Sequence, residues 1–498
     1  MHEHASSETQ LHGEEQLYRV SPERWRILAA LLVGGIMGPI DASVVNVSLP
    51  VIRQDFGVSL TAVSWVSMAY MLVIGTLLLT FGRLGDMVGH KKIFLSGVAL
   101  FTVASALCGA APGLWWLVAA RALQAVGAGM YMSVAAAIIT AVFPSTERGR
   151  ALGLNGMTIA AGLALGPSLG GTLTTFFGWR SIFLINVPIG LVALYWCYRR
   201  LPAWGPRSRQ RFDVVGAVLA LLGLGSLLIF ASHGQEWGWT SVRSLTWLLT
   251  AIITSTAFVQ VERRTPQPML DLSLFRHRVF SAANGASLLN FVAQYCMVFL
   301  TPFYLQRNLG LHPAQTGLVM TASPLVVLSI APFSGALSDR IGTRGLAFAG
   351  LCTASVALFL MSTLGPTAAP TDVAWRLAIF GLGMGIFQSP NNSAVMGAAP
   401  RHRLGIASAI LSTVRNVGMV LGIALAGAIL SNREHAYLSH LAISAPDAGV
   451  AGTTDTVAAA ARLTAFWLGL HDTYLIAAGI SVVSALLCLI REPRPHGS

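Results

Sequence analysis

The sequence is short of charge: only 10% of its 498 residues are Asp, Glu, Lys or Arg, against about a quarter in soluble domains. Its five cysteines (Cys108, Cys197, Cys296, Cys352 and Cys488) stand in apolar stretches and share no metal-ligand spacing. They read as small fillers, and no metal site is expected. No GxxxxGK[ST] loop is present to hold ATP phosphates and HExxH is absent, while GPSLG from Gly166 fits GxSxG only inside an apolar span and not at a strand-to-helix turn, so no hydrolytic centre is offered. An enzyme is therefore not expected. The polar first 25 residues lack the short apolar core and small-residue cleavage site of a signal peptide. The first apolar segment is thus expected to stay in the protein as a helix.

Apolar sequence fills the chain instead. Such residues make up 54% of it, and the mean hydropathy is +0.66, more than soluble cores absorb. A helix crosses the hydrocarbon in about 20 apolar residues. By that length spans fall near 27–47, 62–81, 93–111, 114–142, 151–173, 181–198, 214–232, 244–261, 279–304, 315–337, 346–363, 375–398, 404–430 and 472–490. The expected fold class is an all-α integral membrane protein of 14 transmembrane helices.

The formal charge of +12 reports orientation. With the N-terminus inside, cytoplasmic segments hold 23 of the 32 Lys and Arg and outer segments seven, counting Arg376 at the outer edge of its span, while Arg121 and Arg415 fall deep within spans. That asymmetry obeys the positive-inside rule, and the basic surplus faces anionic lipid. Nucleic acid is not needed as a partner. Both termini are expected in the cytoplasm of a multi-pass protein of the cell inner (plasma) membrane.

The chain also repeats itself. LPVIRQDFGVS from Leu49 is echoed by TPFYLQRNLGL from Thr301, 252 positions later, and GRLGDMVGHKK from Gly82 returns as GALSDRIGTRG from Gly335, at 253. Pro144, Gly166 and Gly171 match Pro400, Gly422 and Gly427 at 256. Each match is weak alone; their common order and near-constant offset are strong. The expected organisation is a cytoplasmic tail (1–25), a six-helix bundle (26–200), a linker carrying two extra helices (201–278), a second six-helix bundle (279–491) and a cytoplasmic tail (492–498). The outer stretch 431–471, with Ala458–Ala461 and Trp467, reads as a helix lying on the membrane surface. Six-helix halves in parallel repeat are the build of transporters that rock two bundles around a midplane site.

Four motifs carry chemistry. IDASVVNVSLP, from Ile40 to Pro50, places Asp41 in span 1, the only acidic residue deep in any span. A charged carboxylate there costs about 2.5–3.5 kcal/mol on insertion scales, so Asp41 is a proton carrier or the fixed partner of a buried cation. RALQAVGAG, from Arg121 to Gly129, puts a guanidinium in span 4. It cannot lose its proton; it works with a nearby carboxylate as the bundle shifts, or bonds statically to Asp41 or Gln124. GLALGPSLGG in span 5 strips one helix face at Gly162, Gly166, Gly170 and Gly171 so that a neighbour can approach, and Pro167 permits a bend. The loop after span 2 holds Gly82, Asp86, Gly89, Lys91 and Lys92, and its second copy holds Asp339 and Arg340. These charges tie the cytoplasmic face to the other half, or the basic ones only set topology.

In combination these motifs resemble those of the major facilitator superfamily, specifically its fourteen-helix drug–proton antiporter branch, over nearly the whole chain. One departure is Met87, which stands where that loop has a basic residue. The resemblance implies a major facilitator fold of two six-helix bundles plus two extra helices. It implies proton-coupled export of hydrophobic or amphipathic drug-like compounds by alternating access, with Asp41 and Arg121 in proton coupling. No cofactor is implied, since the proton gradient supplies the drive. The partners would be a small amphipathic molecule, protons and membrane lipids. A dedicated exporter of a natural product, siderophore or lipid is the alternative on the same fold, and a membrane sensor is a reading of another class. Asn46, Gln124, Gln294, Gln388, Asn391, Asn392, Arg415 and Asn416 line a cavity or bond between helices. Spans 10 and 13 contain no Asp or Glu, which argues against dicationic cargo, and Arg415 favours an anionic or neutral compound.

Overall fold

Prolines and glycines punctuate described segments that are otherwise almost continuously helical. The computed structural model describes residues 23–201, 214–265, 272–400, 403–443 and 454–490, and among them no strand occurs. Residues 1–22 of the expected N-terminal tail, the expected C-terminal tail, the Arg- and Pro-rich link after Leu201 and the centre of the outer stretch lie outside the described residues. Span 1 is two helices, α1 (Arg24–Gly35) and α2 (Met37–Phe56). The break at Ile36 follows from Pro39, which has no N–H for the Gly35 carbonyl and crowds it. Next come α3 (Leu60–Val88), α4 (His90–Gly109), α5 (Leu114–Val142) and α6 (Ser145–Phe177). Span 6 breaks in the same way: Pro188 denies a bond to the Leu184 carbonyl, separating α7 (Ser181–Leu184) from α8 (Asn186–Arg200).

The extra pair is α9 (Val214–Trp237) and α10 (Val242–Arg264). The second half comprises α11 (Arg278–Phe303), α12 (Pro313–Ile341), α13 (Thr343–Ser362), α14 (Pro370–Gly397), α15 (Leu404–Ile443) and α16 (Thr454–Leu487). Among the described residues, thirteen helical segments are long and apolar enough to cross a membrane. The fourteenth, α14, has the length but is diluted by Gln388, Asn391 and Asn392.

The expected surface helix at 431–471 is corrected. α15 runs 40 residues and α16 runs 34, so both flanking spans continue past the hydrocarbon as long helices. No glycine or proline follows Gly427 until Pro446, and Ala458–Ala461 are strong helix formers. Trp467 donates its indole N–H to the Leu364 carbonyl (2.6 Å), tying α16 to the end of α13.

The internal repeat is also a repeat in packing. α4 and α5 cross at Gly97 and Gly127, where a Cβ would lie 2.7 Å from the Tyr131 nitrogen and 2.5 Å from the Phe101 nitrogen. α13 and α14 cross at Gly350 and Gly383, where a Cβ would lie 2.7 Å from the Phe387 nitrogen and 2.5 Å from the Ala354 nitrogen. Gly162 and Gly166 of α6 abut α2 at Pro39 and Ser43; their copies Gly418 and Gly422 of α15 abut α11 at Phe291 and Tyr295. Backbone approaches this close require residues without side chains.

Between the halves, α6 meets α12 and α3 meets α15; α9 packs on α3 and α15, and α10 on α9. At one end the seam is tight. Gly171 abuts the Pro313 backbone and Gly317 the Pro167 backbone. The hydroxyls of Ser168 and Thr321 are 2.6 Å apart, the Ala314 N–H donates to Thr175 Oγ1 (2.9 Å), and Gln306 Nε2 donates to the Val47 carbonyl (2.8 Å). Three turns away on the same helix faces, Met157 of α6 is 63% exposed and Pro332 of α12 is exposed. The two helices therefore meet at the end bearing the Gly57 and Gly310 turns and part toward the end bearing Gly89 and Gly342.

Candidate functional site

The breaks in spans 1 and 6 bring Asp41 of α2 and Asn186 of α8 to one point inside the first half. α5 supplies Arg121 and, one helical turn on, Gln124 on the same face. Arg121 NH1 donates to Asp41 Oδ2 in a salt bridge whose side chains are 1% and 0% exposed. The same nitrogen donates to Gln124 Oε1 (2.6 Å), and Arg121 Nε donates to the Val66 carbonyl of α3 (3.1 Å). Gln124 Nε2 donates to Asp41 Oδ1 (2.9 Å) and to Ser105 Oγ of α4 (2.8 Å), while Asn186 Nδ2 donates to Asp41 Oδ1 (3.2 Å). The Tyr70 ring lies 4.0 Å from the guanidinium carbon. Arg121 thus bonds Asp41 and Gln124 at once, the two static alternatives open from the sequence. Asn186 and Ser105 were not singled out there. Asn186, two residues before Pro188, carried a usable signal; Ser105 carried none.

Gln124 and Asn46 are corrected as cavity residues. Gln124 is fully buried beneath Arg121, because i and i+3 share a helix face. Asn46 is buried within the first half, donating to the Ala42 carbonyl (3.3 Å) and accepting from Ser67 Oγ (3.4 Å). In the second half, Gln294, Gln388, Asn392 and Arg415 are partly exposed. Arg415 NH2 donates to Asn392 Oδ1, and its guanidinium carbon lies 5.7 Å from the Phe291 ring centre. Asn416 faces α3, its Cβ 2.9 Å from where a Gly75 side chain would begin. Asn391 instead borders a small cavity inside the second half, with Val279, Ala283, Thr343 and Arg344.

The glycine motif divides between two neighbours. Gly162, Gly166 and Gly170 lie against Pro39, Ser43 and Val44 of α2, whereas Pro167 and Gly171 meet α12 of the other half. The repeated loop turns on Gly89 (φ +106°) and its copy Gly342 (φ +91°), a region that side chains other than glycine's enter only with strain. Lys91 is corrected as a tie to the other half. Its Nζ donates to the carbonyls of Tyr198 (3.1 Å) and Leu201 (2.5 Å), where a cation suits the negative end of α8. A Cβ at Gly82 would lie 4.0 Å from Ser133 Cβ. Lys92, Asp339 and Arg340 are exposed; the Asp86 side chain lies outside the described part. Nearby, at the same end, Arg200 bonds Glu23 (2.8 Å) and Arg24 bonds Glu147 (2.7 Å). These hydrogen bonds hold both carboxyls below the usual carboxylate range.

Residues 31–423 match the family model described as Major Facilitator Superfamily. The chain is similar to the riboflavin transporter RibZ of Clostridioides difficile (strain 630), 34% identical over 405 residues that cover 81% of this chain and 87% of that protein. It is similar to the multidrug resistance protein Stp of Mycobacterium tuberculosis (strain ATCC 25618 / H37Rv), 35% identical over 424 residues, 84% of this chain and 78% of that one. Among solved structures, a bacterial homolog of the human lysosomal transporter Spinster in an inward-facing, occupied conformation shares the fold. Its TM-score is 0.65 at 17% identity, covering 94% of this chain and 96% of that one. The match over most of its length makes this chain a member of the Major Facilitator Superfamily, a multi-pass membrane transporter and not an enzyme.

Proposed function

We propose that this transporter is a proton-coupled antiporter that exports hydrophobic or amphipathic compounds from the cytoplasm by alternating access. It would sit in the inner (plasma) membrane with both termini cytoplasmic, its bundles 26–200 and 279–491 rocking about their seam. The observation that carries the reading is the sealed Asp41–Arg121 pair with its Gln124 and Asn186 donors. A buried ion pair adds little net stability, yet losing one charge of it costs about 3–5 kcal/mol. A proton on Asp41 removes that charge and strands the guanidinium. Realignment of α2 and α8 at their breaks relieves the imbalance. α2 transmits the shift to α6 through Gly162, Gly166 and Gly170, and α6 bears on α12 through Pro167 and Gly171.

On the positive-inside orientation, the parted end bearing Gly89 and Gly342 is cytoplasmic, which makes this an inward-open arrangement. One proton entering across 100 mV releases about 2.3 kcal/mol, enough to drive uphill export. The relatives' names, a multidrug resistance protein and a riboflavin transporter, support small organic cargo. The second, named for one compound, supports a single dedicated cargo and bears on no direction of transport. The test is gradient-driven movement of a dye and antibiotic panel in proteoliposomes. Transport of at least one compound is expected under an imposed pH gradient, and its collapse on adding a protonophore. Movement indifferent to the gradient contradicts antiport.

A further inference from the structure

The packing repeat allows the two halves to be compared position by position. At offsets of 252 and 256, the counterparts of Asp41, Arg121 and Gln124 are Ala293, Leu377 and Phe380, all buried and apolar. The second half keeps its polar groups elsewhere: Ser287, Asn290 and Gln294 along one face of α11, Asn392 on α14 and Arg415 on α15. The first-half counterparts of Asn290 and Arg415 are Gly38 and Ile159. The shared packing therefore does not call for polar groups at these places.

Four atoms on this wall have no hydrogen-bond partner among the described residues: Ser287 Oγ, Asn290 Oδ1, Gln294 Oε1 and Arg415 Nε. Ser287 and Asn290 are each only 1% exposed. Buried polar atoms are normally satisfied by protein, water or ligand, and a run of exceptions calls for such an occupant. The charge balance narrows its nature. Arg121 is compensated by Asp41, but among the described residues Arg415 bonds only the neutral Asn392. The segments 279–304, 315–337, 346–363, 375–398 and 404–430 contain no Asp or Glu. A guanidinium without a carboxylate repels cations and offers planar, directed donors to carbonyl, phenolate or carboxylate oxygens.

We infer that the cargo is uncharged or anionic and rich in hydrogen-bond acceptors, its polar end held on the second half by Arg415 with the amides of α11. This rests on the exporter reading and assigns to that site a substrate class that excludes cations. Charge movement follows from it. Against one proton, export of an anion carries two positive charges inward in effect, a neutral compound one and a monovalent cation none.

The test uses three fluorescent probes on the purified full-length protein: fluorescein (anionic), riboflavin (neutral) and ethidium (cationic). Binding is measured in detergent by fluorescence anisotropy, and transport in proteoliposomes under a pH gradient. Fluorescein or riboflavin is expected to bind and ethidium to bind at least about tenfold more weakly. Arg415→Gln is expected to weaken fluorescein at least about tenfold, with Arg415→Lys retaining part of the affinity. Should Arg415→Gln misfold, Asn290→Leu is expected to weaken the bound neutral or anionic probe while keeping the preference over ethidium. Ethidium bound or carried as well as the others, or affinities indifferent to both substitutions, overturns the inference. Fluorescein binding that depends on Arg415 without gradient-driven transport supports it and instead counts against antiport.

Discussion

At the scale of single residues, the buried cluster makes opposite demands on stability and, on the proposed antiport, on coupling. Asp41→Asn is expected to destabilise the protein by about 3–5 kcal/mol, because it leaves Arg121 buried without its counter-charge. Removing both charges, as Asp41→Asn with Arg121→Gln, is expected to restore much of that loss in thermal melts while coupling stays absent. Arg121→Lys keeps the charge but cannot reach Asp41, Gln124 and the Val66 carbonyl together; transport is expected to fall about tenfold or more with a smaller change in melting temperature. Asp41 and Arg121 were legible in the sequence because each is a lone charge in an apolar span. The company they keep was less so. Asn186 stands 145 residues from Asp41, and only the proline breaks of two separate spans align them. Gln124 drew notice as a polar residue, but its spacing from Arg121 points it into the cluster and away from any cavity.

At the scale of helices, glycine crossings carry the fold. Gly127→Val is expected to force α4 and α5 apart at a destabilisation of about 1–3 kcal/mol, and Gly383→Val to do the same to α13 and α14. Matching losses in thermal melts are the expected readout of a repeated joint. The ion pairs at the loop end tie α1 to α6 and the start of α1 to α8. Arg24 and Arg200 lower the folded-state pKa of Glu147 and Glu23. Their contribution is therefore present above the unfolded carboxylate range and is lost as pH falls through the lowered values. Glu147→Gln is expected to flatten the acid limb of a stability–pH profile measured below about pH 4.5 and to change little at neutral pH. Span existence was legible from hydropathy, whereas helix length was not. Hydropathy registers only the stretch inside hydrocarbon, and α15 continues past it until a breaker intervenes.

At the scale of the whole molecule, the six-plus-two-plus-six count came from the repeat, whose offsets reappear as paired glycine crossings. Which end of the seam is closed is not legible in the sequence, since on the proposed alternating access one sequence serves both states. Cysteines replacing Ser168 and Thr321, whose hydroxyls lie 2.6 Å apart, are expected to form a disulfide that halts transport and that reductant reverses. α9 of the extra pair packs along the α3–α15 seam, whereas the α6–α12 seam is made by glycine and proline contacts with the Ser168–Thr321 and Ala314–Thr175 hydrogen bonds. The two halves thus differ in chemistry while sharing geometry: the first holds the sealed acid–base pair, and the second presents the partly exposed Arg415. The most direct test is proton release on adding a transported compound to purified protein in weakly buffered detergent solution near neutral pH. Wild-type protein is expected to release protons, and Asp41→Asn protein that binds the same compound is expected to release none. Equal release from both would contradict Asp41 as the proton carrier.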